Sequence, residues 1–143
     1  MPKSKFLKDI PLIDISSLLN KDYKENATVT EIGNACKDIG FFYVINHGIS
    51  NYHIKSVFEE SKKFFNSPLE KKEGISSRNY DFYSGYVPFY GEKTKEKLDF
   101  HEAFDMIRED SSCKQIDSSN PLKGPNQWPT WIKSFKGVMI NNW

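Results

Sequence analysis

The sequence predicts a domain of the α+β class. Residues 1–70 are predicted to follow the order strand, helix, strand, helix, helix, because apolar runs with strand patterns alternate with segments of helical spacing. Hydrophobic residues make up 38% of the 143 residues, and a chain of this length can bury about 68–70% of its unfolded surface, which is enough for a core. Aromatic residues make up 15%, so their large side chains need a core, a pocket or a partner to cover them.

The first strand is predicted at residues 10–16, where Ile13 and Ile15 share one face and Leu12 and Asp14 share the other. Pro11 confines the start of this strand to an edge or an end of a sheet.

A helix is predicted to follow, because Thr28 and Glu31 have the spacing of a capping box. Apolar residues then recur at helical spacing, and Gly40 is typical of the position that follows a helix. The predicted buried stripe consists of Val29, Ile32, Cys36 and Ile39.

Residues 41–46 are apolar on both faces, which predicts a strand that is covered on both sides. His47 and Gly48 indicate a turn, and Ser50 can cap the next helix. The inner stripe of that helix is predicted to be Ile54, Val57, Phe58, Ser61, Phe64 and Phe65. Ser67, Pro68 and Glu70 then predict another helix start with Ser67 as the N-cap.

The pattern is lost between Ser76 and Lys93, where aromatic residues lie among Gly, Pro, Ser and Asp without a period, so a long loop is predicted. Residues 97–107 alternate again and predict a strand with Leu98, Phe100, Phe104 and Met106 on one face. A second loop is predicted at residues 111–127.

The last predicted helix begins at Pro129 and runs to Trp143 without a stop signal. Its apolar stripe consists of Trp131, Phe135, Val138 and Met139. We interpret this ending as a truncation whose apolar side chains face a surface that the chain does not contain. A complete small domain is the alternative.

The charge balance argues against a nucleic-acid binder, since 20 basic residues oppose 19 acidic ones and the two kinds are interleaved. The run Glu70–Glu73 is accordingly predicted to be a solvated face. No stretch resembles a membrane span or a signal peptide, which favours a cytoplasmic location. Cys36 and Cys113 lie far apart and outside any C-x-x-C motif, so neither zinc nor a disulfide framework is indicated.

The histidines offer one tempting metal site. On a strand, Asp99, His101 and Asp105 would face the same way, but the polar side of a half-buried strand explains them better, since no further ligand lies at a convincing spacing. His47 and His53 are interpreted as a turn residue and a surface residue.

Arg78 lies among tyrosines in the long aromatic loop. Such an arginine could orient a carboxylate substrate through two hydrogen bonds. The same residues could equally plug the edge of a sheet, and the residues alone leave both possibilities open.

A series of short motifs resembles the opening of the isopenicillin N synthase-like non-haem iron(II)/2-oxoglutarate-dependent oxygenases, in their order and spacing. The motifs are Ile10-Pro-Leu-Ile-Asp14, the run from Ala35 to Gly48, Phe64-Phe65, Pro68-Leu-Glu-Lys-Lys72, Arg78-Asn-Tyr80, Gly85-Tyr86, Lys95-Glu96, Glu102-Ala-Phe-Asp105 and Asn126-Gln-Trp-Pro129. The resemblance implies that residues 1–127 form the mixed helix and strand layer that precedes the double-stranded β-helix (jelly-roll) core. It also implies that residues 128–143 begin the long helix leading to that core, which is missing here.

The resemblance also implies what the sequence lacks. The family's iron is held by a His-x-Asp pair and a distant His, and its 2-oxoglutarate by an Arg-x-Ser pair. None of the three histidines here precedes such an Asp, and the sequence contains no Arg-x-Ser pair. No catalytic or metal-binding residue is therefore assigned, and neither Fe(II) nor 2-oxoglutarate is expected to bind this chain tightly.

Arg78, Tyr83 and Tyr86 match a segment that in relatives lies near the mouth of the active site, so the resemblance implies that they contact a small-molecule substrate in a complete enzyme. The chain is thus expected to be an N-terminal fragment of a dioxygenase, inactive alone. The alternatives are a non-catalytic module whose exposed apolar surface is covered by a protein partner, and an unstable product of a disrupted gene.

Overall fold

The computed structural model describes residues 10–19, 27–81, 83–91, 93–108, 120, 122 and 124–140. The chain divides into two compact units, Met1–Asn51 and Tyr52–Trp143. The boundary between residues 127 and 128 implied by the resemblance stays a prediction. The first unit contains β1 (Leu12–Asp14), α1 (Ser16–Leu19), α2 (Ala27–Asp38) and β2 (Tyr43–Ile45).

The strand predicted at residues 10–16 is confirmed in a shorter form as β1. Ile13 is buried and Leu12 is exposed, as the alternation predicts. Asp14 ends the strand because its Oδ1 accepts a hydrogen bond from the Ser16 N–H at 2.9 Å, which caps α1. This backbone bond, and a second hydrogen bond from Asn46 Nδ2 at 2.7 Å, hold the pKa of Asp14 below its ordinary value.

The capping box predicted for α2 is wrong, because the helix already includes Ala27 and Thr28 lies inside it. The Thr28 hydroxyl instead lies 3.2 Å from Ser17 Oγ and donates to the Asp14 carbonyl at 3.4 Å. The predicted stripe is also wrong in part, since Ala35 is the buried residue of the helix while Val29 and Cys36 are exposed. Gly40 follows the helix with φ +99°, as predicted.

The strand predicted at residues 41–46 exists as β2, but the prediction that it is covered on both faces is wrong. β2 pairs in parallel with β1, with Val44 opposite Ile13. Tyr43, Val44 and Ile45 are all exposed, at 61%, 40% and 40%. In the described part of the first unit the strand is therefore paired along one edge, and its apolar side chains remain open.

The second unit is built around a small aromatic core. Its elements are α3 (Asn51–Phe65, which begins at the last residue of the first unit), α4 (Leu69–Glu73), β3 (Gly85–Val87), β4 (Lys93–Thr94), β5 (Lys97–Leu98), β6 (Ala103–Asp105) and α5 (Phe135–Ile140). The buried centre consists of Phe64, Tyr86 and Phe135. Phe64 contacts Phe104 and Phe135 at ring distances of 4.9 and 5.4 Å, in the inclined arrangements that aromatic pairs prefer.

Helix α3 begins directly after Ser50, as predicted, and buries Phe64. Phe58 of the predicted stripe is 72% exposed, so the stripe is wrong at that position. Ser67 does not cap α4, because Pro68 occupies the N-cap position without a side-chain hydrogen bond. The Ser67 hydroxyl donates to the Lys63 carbonyl at 2.9 Å and accepts from Trp131 Nε1 at 3.0 Å.

The loop predicted at residues 76–93 contains a 3-10 turn at Ser77–Asn79 and the buried strand β3. β3 pairs antiparallel with β6, and Tyr86 lies opposite Phe104. Its start requires glycine, since Gly85 has φ +119° and an added Cβ would lie 2.3 Å from the Ile75 carbonyl oxygen. A three-residue strand beginning at such a glycine has no periodic signal, which explains why it is not predicted.

The single strand predicted at residues 97–107 is two strands, β5 and β6, with different partners. β5 pairs with β4 in a local hairpin, and β6 pairs with β3. The face predicted to be common is therefore divided. Leu98 and Phe100 are exposed at 53% and 75%, while Phe104 packs against the core.

Helix α5 starts at Phe135 and not at Pro129, because turns closed by Ile132 N–H to Pro129 C=O and Phe135 N–H to Ile132 C=O precede it. Phe135 and Trp131 pack on Phe64, so the prediction that they face a surface absent from the chain is wrong. The predicted loop at 111–127 falls partly, and the predicted helix end at Trp143 wholly, outside the described residues. Among the helices that the structure describes, none has the length and apolar character needed to cross a bilayer.

Candidate functional site

Strands β3 to β6 form one long, irregular antiparallel hairpin. Val87 pairs with Ala103 at its base, the Tyr90 N–H donates to the Asp99 carbonyl at 3.1 Å, and Lys93 pairs with Leu98 near its tip. We call residues 88–91 and 93–101 the arm. At the tip, Lys95 and Glu96 adopt positive φ values of 49° and 69°, as in the tightest hairpin turns.

The arm carries three exposed aromatic side chains, of which one contacts the other two, and we call them the aromatic surface. Phe89, Tyr90 and Phe100 are exposed at 45%, 50% and 75%. The ring of Phe100 lies 5.2 Å from that of Phe89 and 5.5 Å from that of Tyr90. Contiguous exposed apolar side chains of this kind are typical of binding surfaces.

The residues predicted to bind substrate occupy different environments. Arg78 is exposed and its Nη2 lies 3.5 Å from the Tyr90 carbonyl, which places the guanidinium beside the aromatic surface. Tyr83 is 63% exposed. Tyr86 is completely buried in the core. The substrate role of these three residues stays a prediction, and of the three only Arg78 and Tyr83 present their side chains to solvent.

Beneath the arm lies a buried ion-pair cluster formed by Lys72, Tyr86 and Glu102. Glu102 Oε2 accepts hydrogen bonds from Lys72 Nζ at 2.6 Å and from the Tyr86 hydroxyl at 2.7 Å. Lys72 Nζ also donates to the Phe65 carbonyl at 3.0 Å and lies 5.1 Å from the centre of the Tyr86 ring. These contacts satisfy an ammonium group whose residue is 5% exposed.

The cluster shifts two pKa values in opposite directions. Burial and the hydrogen bond to Glu102 raise the pKa of the Tyr86 hydroxyl well above its ordinary range. Burial alone would raise the pKa of Glu102, but the hydrogen bonds from Lys72 and Tyr86 outweigh burial and lower it. At neutral pH the cluster is therefore an ion pair joined to a neutral phenol.

Sequence reasoning misses this cluster. The charged run Glu70–Glu73 predicts a solvated face, which is wrong for Lys72 although Lys71 beside it is exposed. The partner that makes burial tolerable is Glu102, 30 positions further along the chain. No local pattern distinguishes the two lysines, so the sequence carries no signal that could have found it.

A second buried polar network joins the base of the hairpin to the segment before α5. The Asn126 side chain accepts from the Ile107 N–H at 2.8 Å and donates to the Ile107 carbonyl at 2.7 Å, in the manner of a strand neighbour. Asn126 Oδ1 also accepts from Ser84 Oγ at 2.9 Å, and Ser84 Oγ accepts from the Gln127 N–H at 3.2 Å. Ser84 is completely buried.

The candidate metal ligands do not lie on one strand. Asp105 belongs to β6 opposite Gly85, whereas Asp99 and His101 lie between β5 and β6 and His101 is exposed. His47 forms the predicted turn, with its Nδ1 accepting from the Ile49 N–H at 3.1 Å, and His53 is half-buried on α3. Across the described ranges, no three His, Cys, Asp or Glu side chains are grouped so that they could hold a metal ion. The described residues therefore do not fit an iron site.

Comparison with known proteins shows the family to which the chain belongs. The family described as non-haem dioxygenase in morphine synthesis N-terminal matches residues 10–131. The chain belongs to this family. This membership confirms the resemblance to the non-haem oxygenases that the series of short motifs predicts.

The relatives of this family member are longer than the chain. A homoarginine-6-hydroxylase from Arabidopsis thaliana is 42% identical over 138 residues, which are 91% of this chain and 39% of the relative. A 1-aminocyclopropane-1-carboxylate oxidase from Dictyostelium mucoroides is 36% identical over 100 residues, which are 67% of this chain and 26% of the relative. The chain thus spans at most about two-fifths of the length of these relatives.

A solved structure confirms the fold. A full-length Neurospora crassa protein, crystallised in complex with alpha-KG and thymine, superposes with a TM-score of 0.68 and 28% identity. The match covers 92% of this chain and 42% of the Neurospora protein. The predicted mixed helix and strand layer of an oxygenase is therefore the architecture of this dioxygenase N-terminal family member.

Proposed function

We propose that the chain is the N-terminal part of an Fe(II)/2-oxoglutarate-dependent dioxygenase that hydroxylates or desaturates a small organic molecule. The observation that carries the proposal is the 42% identity to a homoarginine-6-hydroxylase across nearly the whole chain. The alpha-KG bound in the Neurospora protein supports 2-oxoglutarate as the co-substrate. Because the described residues do not fit an iron site, we assign iron binding to a part of the complete enzyme that these residues do not represent.

The role of this chain in that enzyme would be to present the substrate-facing surface. The Arg78 guanidinium is exposed beside the aromatic surface, where it can form two hydrogen bonds with a carboxylate. Tyr83 offers an exposed phenol, and Tyr86 would support the surface from the core. Homoarginine is the first substrate to test, because two Arabidopsis relatives carry that activity in their names.

The direct test is a chimeric enzyme. This chain replaces the matching residues of the Arabidopsis homoarginine-6-hydroxylase, and homoarginine-dependent decarboxylation of 2-oxoglutarate is measured. We expect turnover, and we expect Arg78→Ala to raise KM more than it lowers kcat because it removes substrate binding. Lys55→Ala, an exposed cation on α3, is the matched control and is expected to leave KM unchanged. A folded chimera without turnover would refute the proposal.

The isolated chain provides a second test. Fe(II) and 2-oxoglutarate are added without oxygen, and the unfolding temperature is followed. A ligand that binds only the folded state must raise that temperature. We expect no rise, and a mutually dependent rise with both ligands would overturn the assignment and make Asp99, His101 and Asp105 the first residues to replace.

A non-catalytic interaction module is the second candidate function, and the exposed apolar side chains of β2 favour it. An open strand edge with apolar faces can pair with another chain. Amide hydrogen exchange of β2 is measured before and after the remaining part of the Arabidopsis enzyme is added. Protection of the β2 amides only after this addition supports the dioxygenase. Protection before the addition, caused by self-association of the chain, supports the interaction module. Cytoplasmic location and the absence of a nucleic-acid partner stay predictions.

A further inference from the structure

The buried ion-pair cluster lies where the arm leaves the core. Tyr86 is in β3, just before the arm begins, and Glu102 follows directly after its last residue. Lys72 reaches both from α4, a separate element. The cluster therefore joins the two strands at the base of the arm to each other and to a helix.

The contacts of the cluster leave little freedom in its geometry. One carboxylate oxygen of Glu102 accepts from both Lys72 and Tyr86, at 2.6 and 2.7 Å. A buried pair of this kind adds little stability compared with apolar packing, because removing both charges from water is costly. It does favour one arrangement strongly, since any displacement of Glu102 leaves the buried ammonium without its counter-charge.

The outer arm is largely exposed to solvent. Leu98 and Phe100 are exposed at 53% and 75%, and an isolated two-stranded hairpin is marginally stable in water. Tyr90, Lys95 and Glu96 all have positive φ, a conformation that costs free energy for residues other than glycine. The ion-pair cluster at the base of the arm is therefore well placed to restrain its position.

We propose that Lys72 and Glu102 are positioning residues, whose ion pair holds the arm and thereby places the aromatic surface beside Arg78 for the substrate. The positioning role rests on the proposed function only for the identity of what is bound. The restraint of the arm by the ion pair is a property of the chain itself and can be measured without any ligand.

The test is residue-resolved amide hydrogen exchange of the 143-residue chain by NMR. Glu102→Gln keeps the size of the side chain and removes its charge. We expect the Tyr90 amide, which bonds to the Asp99 carbonyl inside the arm, to exchange about tenfold faster or more. The Val138 amide, which bonds to the Ser134 carbonyl, is expected to keep its rate.

Matched variants separate positioning from general stabilisation. Lys71→Met changes the exposed lysine beside Lys72 on α4, so both amides are expected to keep their rates. Lys72→Met removes the ammonium group of the cluster and is expected to accelerate exchange at Tyr90, as Glu102→Gln does.

The outcomes that overturn the proposal are specific. Unchanged exchange at Tyr90 in Glu102→Gln would show that the ion pair does not restrain the arm. If exchange became faster by the same factor at Tyr90 and at Val138, the ion pair would stabilise the whole unit and not the arm in particular. If Glu102→Gln does not fold, Tyr86→Phe removes a single hydrogen bond of the cluster and must still accelerate exchange selectively in the arm.

The active chimera tests whether the same ion pair also places the substrate. A raised KM with unchanged kcat in Glu102→Gln would support this part of the proposal. An unchanged KM would contradict it while leaving the proposed function intact.

Discussion

Replacing Asn126 with Ala tests the polar network at the base of the hairpin. The substitution removes the acceptor of the Ile107 N–H, the donor to the Ile107 carbonyl and the acceptor of the Ser84 hydroxyl. Ser84 is completely buried and Ile107 is half-buried, so water can replace the lost partners only in part. Leaving three such groups without partners at about 1 kcal/mol each lowers the free energy of unfolding by about 3 kcal/mol.

Urea unfolding, followed by the fluorescence of the three tryptophans, measures this loss. Asn79→Ala is the matched control, because the Asn79 amide makes one exposed hydrogen bond, to the Glu73 carbonyl at 3.0 Å. Its expected effect is within about 0.5 kcal/mol. Asn126→Asp keeps the acceptor but turns an oxygen toward the Ile107 carbonyl, so we expect it to cost at least as much as Asn126→Ala. If Asn126→Ala cost no more than Asn79→Ala, the network would not stabilise the fold and the reasoning would be refuted.

Three further predictions use the same unfolding measurement. Phe64→Ala should lower the free energy of unfolding by about 3–5 kcal/mol, because it empties the centre of the core. Phe58→Ala on the same helix should lower it by less than about 0.5 kcal/mol, because Phe58 is 72% exposed. Similar losses in the two variants would contradict the assigned core. Lys95→Asn combined with Glu96→Gly should stabilise by about 1 kcal/mol, since these residues accept positive φ at both positions, and a loss would contradict the turn geometry. Because the pKa of Glu102 is lowered in the folded chain from 4.5, its contribution to stability is complete above pH 4.5 and is lost as the pH falls through the lowered value. Glu102→Gln should reduce the loss of stability on acidification, and an unchanged pH dependence would argue against the ion pair.

Local signals predicted the elements that depend on neighbouring residues. The alternation around Ile13 and the glycine after α2 can be recognised from neighbouring residues alone, and both predictions are confirmed. Helix starts were less predictable, because hydroxyl groups can serve distant partners. Thr28 contacts the end of β1, and Ser67 accepts from Trp131, 64 positions away. Neither contact is visible in a window of a few residues.

The strands of the second unit show the same limit. β3 and β6 are three residues each, and their identity comes from pairing with each other. A period of two cannot be recognised over so short a run, particularly when one strand begins at Gly85. The expectation that Phe135 and Trp131 face a missing surface failed for a related reason. Their partner Phe64 lies far earlier in the sequence.

The sequence by itself determined the family, the α+β class and the absence of a His-x-Asp pair, because motif order and residue identity are properties of the chain. The tertiary structure alone decided which polar and aromatic residues are inside. Lys72 is buried and Lys71 is exposed, and Tyr86 lies in the core while Tyr83 faces solvent. The physical reason is that burial of a charge or a phenol depends on a partner such as Glu102, and only folding brings that partner within hydrogen-bonding distance.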